Sequence, residues 1–130
     1  MNRVEKRIDF LYALKRKKLN DILQKYHLTY DDYQVIKVIH YMDGVSIETV
    51  VKESKLDPHI IRKISEELLQ KEFIKIVDNK IFLGEKAKNL YPQIKKDLKK
   101  EERRLGEEIS GEDITNIIEV LDQLIDYYEK

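Results

Sequence analysis

The stretch "LDPHIIRKISEELLQKEFIKIVDNKIFLGEKAK", from Leu56 to Lys88, constrains the fold of this chain more than any other part. Asp57 is a residue that caps helices, and Pro58 at the first helical position has no backbone N–H to leave unpaired. The runs "FIKIV" and "KIFL" then alternate around Asp78-Asn79, which predicts two short strands joined by a tight turn. A helix that leads directly into a hairpin restricts the chain to few architectures.

Two shorter helices are predicted upstream of this stretch. Thr29 and Asp32 have the spacing of a capping box and start a helix that ends at Asp43-Gly44. Ser46 caps the next helix, and Ser54-Lys55 makes the turn that follows it. Helix, turn, helix and hairpin together predict a winged helix-turn-helix head over residues 29–83. Its expected core residues include Val35, Ile36, Ile39, Met42, Ile61, Ile64, Leu68 and Leu69.

Long amphipathic helices are predicted on both sides of this head, over residues 1–28 and 84–130. The helix after the hairpin spans about 22–25 residues, or roughly 33–38 Å. A compact globule of 130 residues has a radius of gyration of only about 14 Å, so the apolar stripe of this helix extends beyond what its own head can cover. A second copy of the chain would cover these stripes, so we expect a homodimer. The fold class is therefore mostly α, as one domain whose winged helix-turn-helix head carries a short β-hairpin wing and long N- and C-terminal dimerisation helices.

Charge supports the pairing of the chain ends, within or between chains. Residues 1–20 hold seven basic and two acidic side chains, whereas residues 110–130 hold six acidic side chains and one basic. Residues 1–20 therefore have a surplus of five positive charges and residues 110–130 a surplus of five negative charges, which favours the association of these two segments.

Composition excludes several classes of site. The chain of 130 residues has 25 basic and 25 acidic side chains, no cysteine and three widely separated histidines. We therefore expect no disulfide, metal site or cofactor, and no enzymatic activity, since no nucleophile is paired with a base. No apolar run approaches the roughly 20 residues of a membrane span, and the N-terminus has no secretory core, so a cytoplasmic location is expected.

The start of the helix after Pro58 has the side chains that a major groove requires. Arg62 and Lys63 can donate to guanine O6 and N7, His59 can donate to a base or phosphate, and Ile60 can touch a thymine methyl. Free N–H groups at helix starts, including the one that Ser46 caps, can seat phosphates. Residues 44–83 nevertheless balance seven basic against seven acidic side chains. A protein-interaction module that has lost strong DNA binding is therefore the alternative.

The order of these elements resembles the MarR family of bacterial transcriptional regulators over nearly the whole chain. The stretches that carry the resemblance are "LTYDDYQVIKVIHYMDGVSIETVVKESKLDPHIIRKISEELLQKEFIKI" and "LGEKAKNLYPQIKKDL". The resemblance implies a homodimeric repressor that binds a pseudo-palindromic operator in double-stranded DNA through a reading helix at Asp57–Lys71. It also implies release by a small-molecule effector. Tyr12, Tyr33 and Tyr91 are the candidate ligand-binding residues, with core or interface roles as the alternative.

Two positions depart from the family's pattern. Family wings, which would enter the minor groove, commonly carry a D-x-R motif, but here Asp78 and Asn79 are followed by Lys80 and no arginine. Lys75, Asn79 and Lys80 are then the polar residues that the wing can offer to DNA. Lys55 occupies the turn position where the family usually has glycine.

Overall fold

The computed structural model of the protein describes residues 3–130, which form six α-helices and one antiparallel hairpin. The mostly helical, winged helix-turn-helix fold class is confirmed. Two compact units are present; the first ends at Ile94 and the second begins at Lys95. The elements are α1 (Arg3–Leu23), α2 (Tyr30–Met42), α3 (Ile47–Ser54), α4 (Pro58–Gln70), β1 (Ile74–Val77), β2 (Lys80–Leu83), α5 (Glu85–Glu108) and α6 (Gly111–Glu129), with a 3-10 turn at Gln24–Tyr26.

Short-range hydrogen bonds fix the helix starts where the sequence predicts them. The Thr29 hydroxyl accepts from the Asp32 N–H at 3.1 Å, and the Asp32 carboxylate accepts from the Thr29 N–H at 2.8 Å. The side chains of Ser46, Asp57 and Ser110 each accept from one backbone N–H, of Thr49, His59 and Asp113, at the starts of α3, α4 and α6. Each such cap satisfies a backbone donor that would otherwise be orphaned, and contributes about 1 kcal/mol.

The core of the first unit is built from α2, α4, the hairpin and the start of α5. Six of the eight predicted core residues are buried there, but Met42 and Leu69 are exposed, so their assignment to the core was wrong. Leu69 follows the fully buried Leu68 and is turned about 100° around the helix, away from the buried stripe. Met42 is the last residue of α2, where the chain turns at Asp43.

Helix α1 is tied to the start of α2 by polar contacts. Arg16 forms an ion pair with Asp31, and the Asn20 side-chain oxygen accepts from the Tyr30 N–H at 2.6 Å. Leu23 at the end of α1 is fully buried. The last turn of α1 therefore joins the core of the first unit.

Apolar side chains on α1 and on α6 lie exposed in the single chain. On α6 they recur along the helix at Ile117, Ile118, Val120, Leu121 and Ile125. On α1 they are Val4, Ile8, Phe10, Leu11, Tyr12 and Leu14. Exposed apolar side chains in such numbers usually mark a surface that associates.

Candidate nucleic-acid interface

The turn between α3 and α4 places the two helices against one core. Lys55 adopts the left-handed conformation with a φ of 63°, which ends α3 and redirects the chain. The Leu56 N–H donates to the Ser54 hydroxyl at 3.3 Å, which helps to hold the turn. Val50 from α3 and Ile61 from α4 are both fully buried, so the pair of helices is anchored from the inside.

The first two turns of α4 present four of the predicted DNA-binding residues to solvent. His59, Ile60, Arg62 and Lys63 are all exposed. The opposite side of the helix is buried through Ile61, Ile64 and Leu68. The His59 N–H donates to the Asp57 carboxylate at 2.8 Å, which fixes the start of the helix. The structure therefore brings these four residues together on one anchored helix start, and their contact with DNA stays a prediction.

The hairpin is short and ends in a turn with two left-handed residues. Asp78 and Asn79 have φ values of 51° and 61°, which is the backbone of a type I′ turn. The register pairs Val77 with Lys80 and Lys75 with Phe82. Lys75 and Val77 lie on one face of β1 because side chains alternate along a strand, and Lys80 lies on that same face because it pairs with Val77. Asp78 places an acidic side chain at the tip of the wing.

A third backbone segment braces this wing. Val45, which precedes α3, exchanges hydrogen bonds with Ile81, at 3.1 Å from the Val45 N–H and 2.7 Å from the Ile81 N–H. A Cβ at Gly44 would lie 2.8 Å from the Phe82 ring, and Gly44 has a φ of +81°. The sequence predicts Gly44 only as a helix end, since nothing local to "MDGVS" signals that Val45 pairs with a residue 36 positions further along the chain.

Gly84 closes the base of the wing. Its N–H donates to the Phe73 carbonyl oxygen at 2.8 Å. A Cβ added there would lie 2.5 Å from the Glu72 carbonyl oxygen, so the backbones approach too closely for any other residue. The position of a lone glycine directly after an alternating strand was the one sequence signal for this contact.

Ser46 is half-buried and has a local role. Its hydroxyl accepts from the Thr49 N–H at 3.2 Å and lies 3.0 Å from the Thr49 hydroxyl. The structure thus places Ser46 at the start of α3 as a helix cap, apart from the exposed residues of α4.

Two of the three candidate tyrosines pack against each other inside the protein. The rings of Tyr33 and Tyr91 are buried and stack at 6.2 Å between centroids, and His40 stacks on Tyr91 at 3.9 Å. Burial, and next the phenol of Tyr33, raise the pKa of Tyr91. Tyr12 is 59% exposed and lies elsewhere.

A small cavity in the first unit includes Tyr12 in its lining. Its volume is about 70 Å³, and its other lining residues are Lys15, Arg16, Leu19 and Tyr30. The Arg16 guanidinium donates to the Tyr12 hydroxyl at 3.3 Å. Hydrogen bonding to Asp31 raises the pKa of Arg16, whereas burial raises that of Tyr30. Sites for drug-sized ligands are usually about 300–1,000 Å³, so this cavity would have to widen to hold one.

Residues 3–130 contain neither a cluster suited to a metal ion nor a helix suited to a membrane. In that range, no three His, Asp or Glu side chains are grouped so that they could hold a metal ion. None of the helices there is long and apolar enough to cross a bilayer.

Comparison with solved structures identifies the fold. A MarR transcriptional regulator from Methanosarcina mazei Go1 superposes with a TM-score of 0.81 at 18% identity, covering 95% of this chain and 93% of that one. The MarR of Staphylococcus aureus in complex with salicylate and kanamycin gives 0.86 at 16% identity, covering 96% and 89%. A MarR/EmrR family regulator from Acinetobacter sp. ADP1 gives 0.82 at 18%, covering 97% and 94%. Over 95–97% of its length the chain therefore has the fold of MarR regulators.

Sequence comparison adds no nearer relative. No protein-family model and no curated protein matches this chain.

Proposed function

We propose that this chain is a MarR-family transcriptional regulator that binds a pseudo-palindromic site in double-stranded DNA as a homodimer and represses transcription. The observation that carries the proposal is the anchored start of α4, with His59, Arg62 and Lys63 exposed in its first two turns. A major groove about 12 Å wide admits one such helix. A regulator of this kind acts in the cytoplasm, where bacterial DNA lies.

Each part of the head has a distinct task in this proposal. Arg62 and Lys63 donate to the acceptor edges of guanine, and His59 donates to a base or a phosphate. The backbone N–H groups at the start of α3, held by Ser46, lie against the phosphate backbone. Lys75, Asn79 and Lys80 of the wing contact the adjacent groove or its phosphates without an arginine.

A second copy of the chain supplies the other half of the interface. The exposed apolar side chains of α1 and α6 need a cover, and a two-fold partner offers the same surfaces in return. Two copies of α4 set about 34–36 Å apart would then meet successive major grooves on one side of the duplex. The operator would accordingly contain two inverted half-sites.

Release by a small aromatic molecule is also part of the proposal. The S. aureus neighbour is described as a complex with salicylate and kanamycin. In this chain Tyr12 would provide stacking surface beside the cavity that Lys15 and Arg16 also line. Tyr33 and Tyr91 are buried and would reach a ligand only if their packing opened. A rise in the melting temperature on adding salicylate, reduced in Arg16→Met, is the expected result.

A salt titration of DNA binding tests the central proposal. A dimer that neutralises about 6–10 phosphates should lose a factor of about 10³–10⁵ in affinity between about 50 and 200 mM salt. Arg62→Ala should cost about 1–3 kcal/mol and relax the preference at one base position in each half-site. Arg104→Ala, which removes the same charge from the exposed surface of the other unit, is the matched control and should bind as the wild type does.

The outcome that contradicts the proposal is the absence of saturable binding at low salt. That result would favour the protein-interaction module, for which the balanced charge of the head and the arginine-free wing are the support. Recovery of a protein partner by the immobilised chain, with no shift of genomic DNA, would then be expected.

A further inference from the structure

We infer that Ile60 recognises the 5-methyl group of a thymine in each half-site, so that this regulator selects T·A pairs by an apolar contact as well as guanine by hydrogen bonds. The inference rests on the proposed function, since it assigns a substrate feature to the same helix.

Ile60 lies outside the buried core. Its side chain is 42% exposed, whereas its neighbour Ile61 is fully buried. Ile61, Ile64 and Leu68 already form the buried stripe of α4, with Ser65 beside them. Ile60 lies about 100° around the helix from Ile61, at the edge of the face that also presents His59.

The position of Ile60 along α4 is that of a base contact. It is the third residue of the helix, and the N-terminal residues of a recognition helix are those that reach base edges. Lys63 lies three residues further on, so the two side chains project from the same side of the helix. One apolar group and one donor therefore lie side by side.

Thymine offers the groups that this pair would contact. In the major groove it presents a carbonyl acceptor, O4, and beside it the 5-methyl group, which the other three bases lack. Arg62 and Lys63 have only donors and gain nothing from a methyl group. The branched side chain of Ile60 can bury that methyl group, and a T·A pair is then distinguished from a C·G pair at the same step.

The protein contains a matched comparison in the same helix. Leu69 is 44% exposed, almost as much as Ile60, but it lies in the last turn of α4. If exposure of an apolar side chain on α4 were enough to affect binding, Leu69→Ala and Ile60→Ala should behave alike. If Ile60 contacts the thymine methyl group, only Ile60→Ala should change how strongly the DNA affinity depends on that methyl group.

The experiment uses the full chain and a DNA duplex that it selects itself. A duplex recovered from a random library would be remade with deoxyuridine in place of each thymidine in turn, which removes one methyl group and nothing else. Wild-type affinity should fall about fourfold at one thymine in each half-site, the loss that corresponds to one buried methyl group, and should stay unchanged at the others. Ile60→Ala should remove that difference between thymidine and deoxyuridine, Ile60→Val should retain part of it, and Leu69→Ala should retain all of it.

Two results would overturn the inference while leaving the proposed function intact. One is a wild-type protein that binds the duplex and tolerates deoxyuridine at every position. The other is an Ile60→Ala protein with the wild-type helical circular dichroism that still loses affinity on that substitution. Failure to bind any duplex would instead overturn the proposed function and this inference together. If the alanine variant does not fold, Ile60→Val decides, because an unchanged loss of affinity on deoxyuridine substitution in that variant would overturn the inference.

Discussion

Lys55 holds a backbone conformation that suits glycine better than lysine. Its φ is 63°, at the turn that links α3 to α4, and its side chain is exposed. A left-handed residue with a side chain costs about 1–2 kcal/mol relative to the right-handed conformation. Lys55→Gly should therefore raise the free energy of unfolding by about 1 kcal/mol, after allowance for the extra chain entropy of glycine, as measured by urea denaturation.

Lys52→Gly is the control for that change. The same substitution in the middle of α3, where the backbone is right-handed, should lower stability by about 1 kcal/mol. If both substitutions destabilise the protein equally, the backbone at residue 55 is not strained.

The buried phenol of Tyr91 should make the stability of the folded protein depend on pH in the alkaline range. Burial, and then the neighbouring Tyr33, raise its pKa above the ordinary value of about 10. Above that pH the unfolded chain loses the phenol proton while the folded chain keeps it, so stability is complete below about pH 10 and falls as the pH rises. Between about pH 8 and pH 10.7, the free energy of unfolding of Tyr91→Phe should fall by about 1 kcal/mol less than that of the wild type. A stability that falls as steeply with pH in Tyr91→Phe as in the wild type would contradict the assignment of this effect to Tyr91.

At the scale of single elements, the wing is the part of the proposed DNA interface in which an acidic side chain lies beside the lysines. Asp78 places a carboxylate at the hairpin tip, next to the phosphates that Lys75 and Lys80 would approach. Asp78→Asn removes that repulsion and keeps a residue suited to the left-handed turn. Affinity for the selected duplex should rise about two- to fivefold at about 50 mM salt and less at high salt, since added ions screen the charge.

Asp21→Asn on α1 removes the same charge away from the wing and is the control. Equal gains in DNA affinity in Asp78→Asn and Asp21→Asn would mean that binding responds only to the net charge of the protein. No gain in Asp78→Asn would mean that the wing tip does not approach DNA.

The elements also show how far local sequence determines this fold. The caps at Thr29, Ser46 and Asp57 and the Asp78-Asn79 turn were predictable because each depends on contacts within a few residues. The Val45–Ile81 bridge was not, because it joins residues far apart in sequence. Met42 and Leu69 were misplaced because periodicity gives the direction of a side chain but not where the core ends. The exposed face of α4 followed directly from its buried stripe, so the base-contact candidates could be identified before the fold was known.

At the scale of the whole molecule, the proposal requires a dimer. Ile118 on α6 is 52% exposed in the single chain, so a charged side chain there costs a monomer little. In a dimer that covers α6, Ile118→Glu would bury an unpaired carboxylate, at a cost of several kcal/mol. We expect a dimer for the wild type and a monomer for Ile118→Glu by sedimentation at micromolar concentration, together with loss of operator binding. Asn116→Glu adds the same charge at an exposed polar position two residues away and should remain a dimer, whereas a monomeric wild type would contradict the proposal.

Sequencing of the DNA retained by the purified full chain from a random duplex library tests the whole account most directly. The account predicts enrichment of two inverted half-sites whose centres lie about 10–10.5 base pairs apart, the spacing of two α4 helices in successive major grooves. An enriched sequence with a single half-site, or no enrichment at low salt, would contradict it.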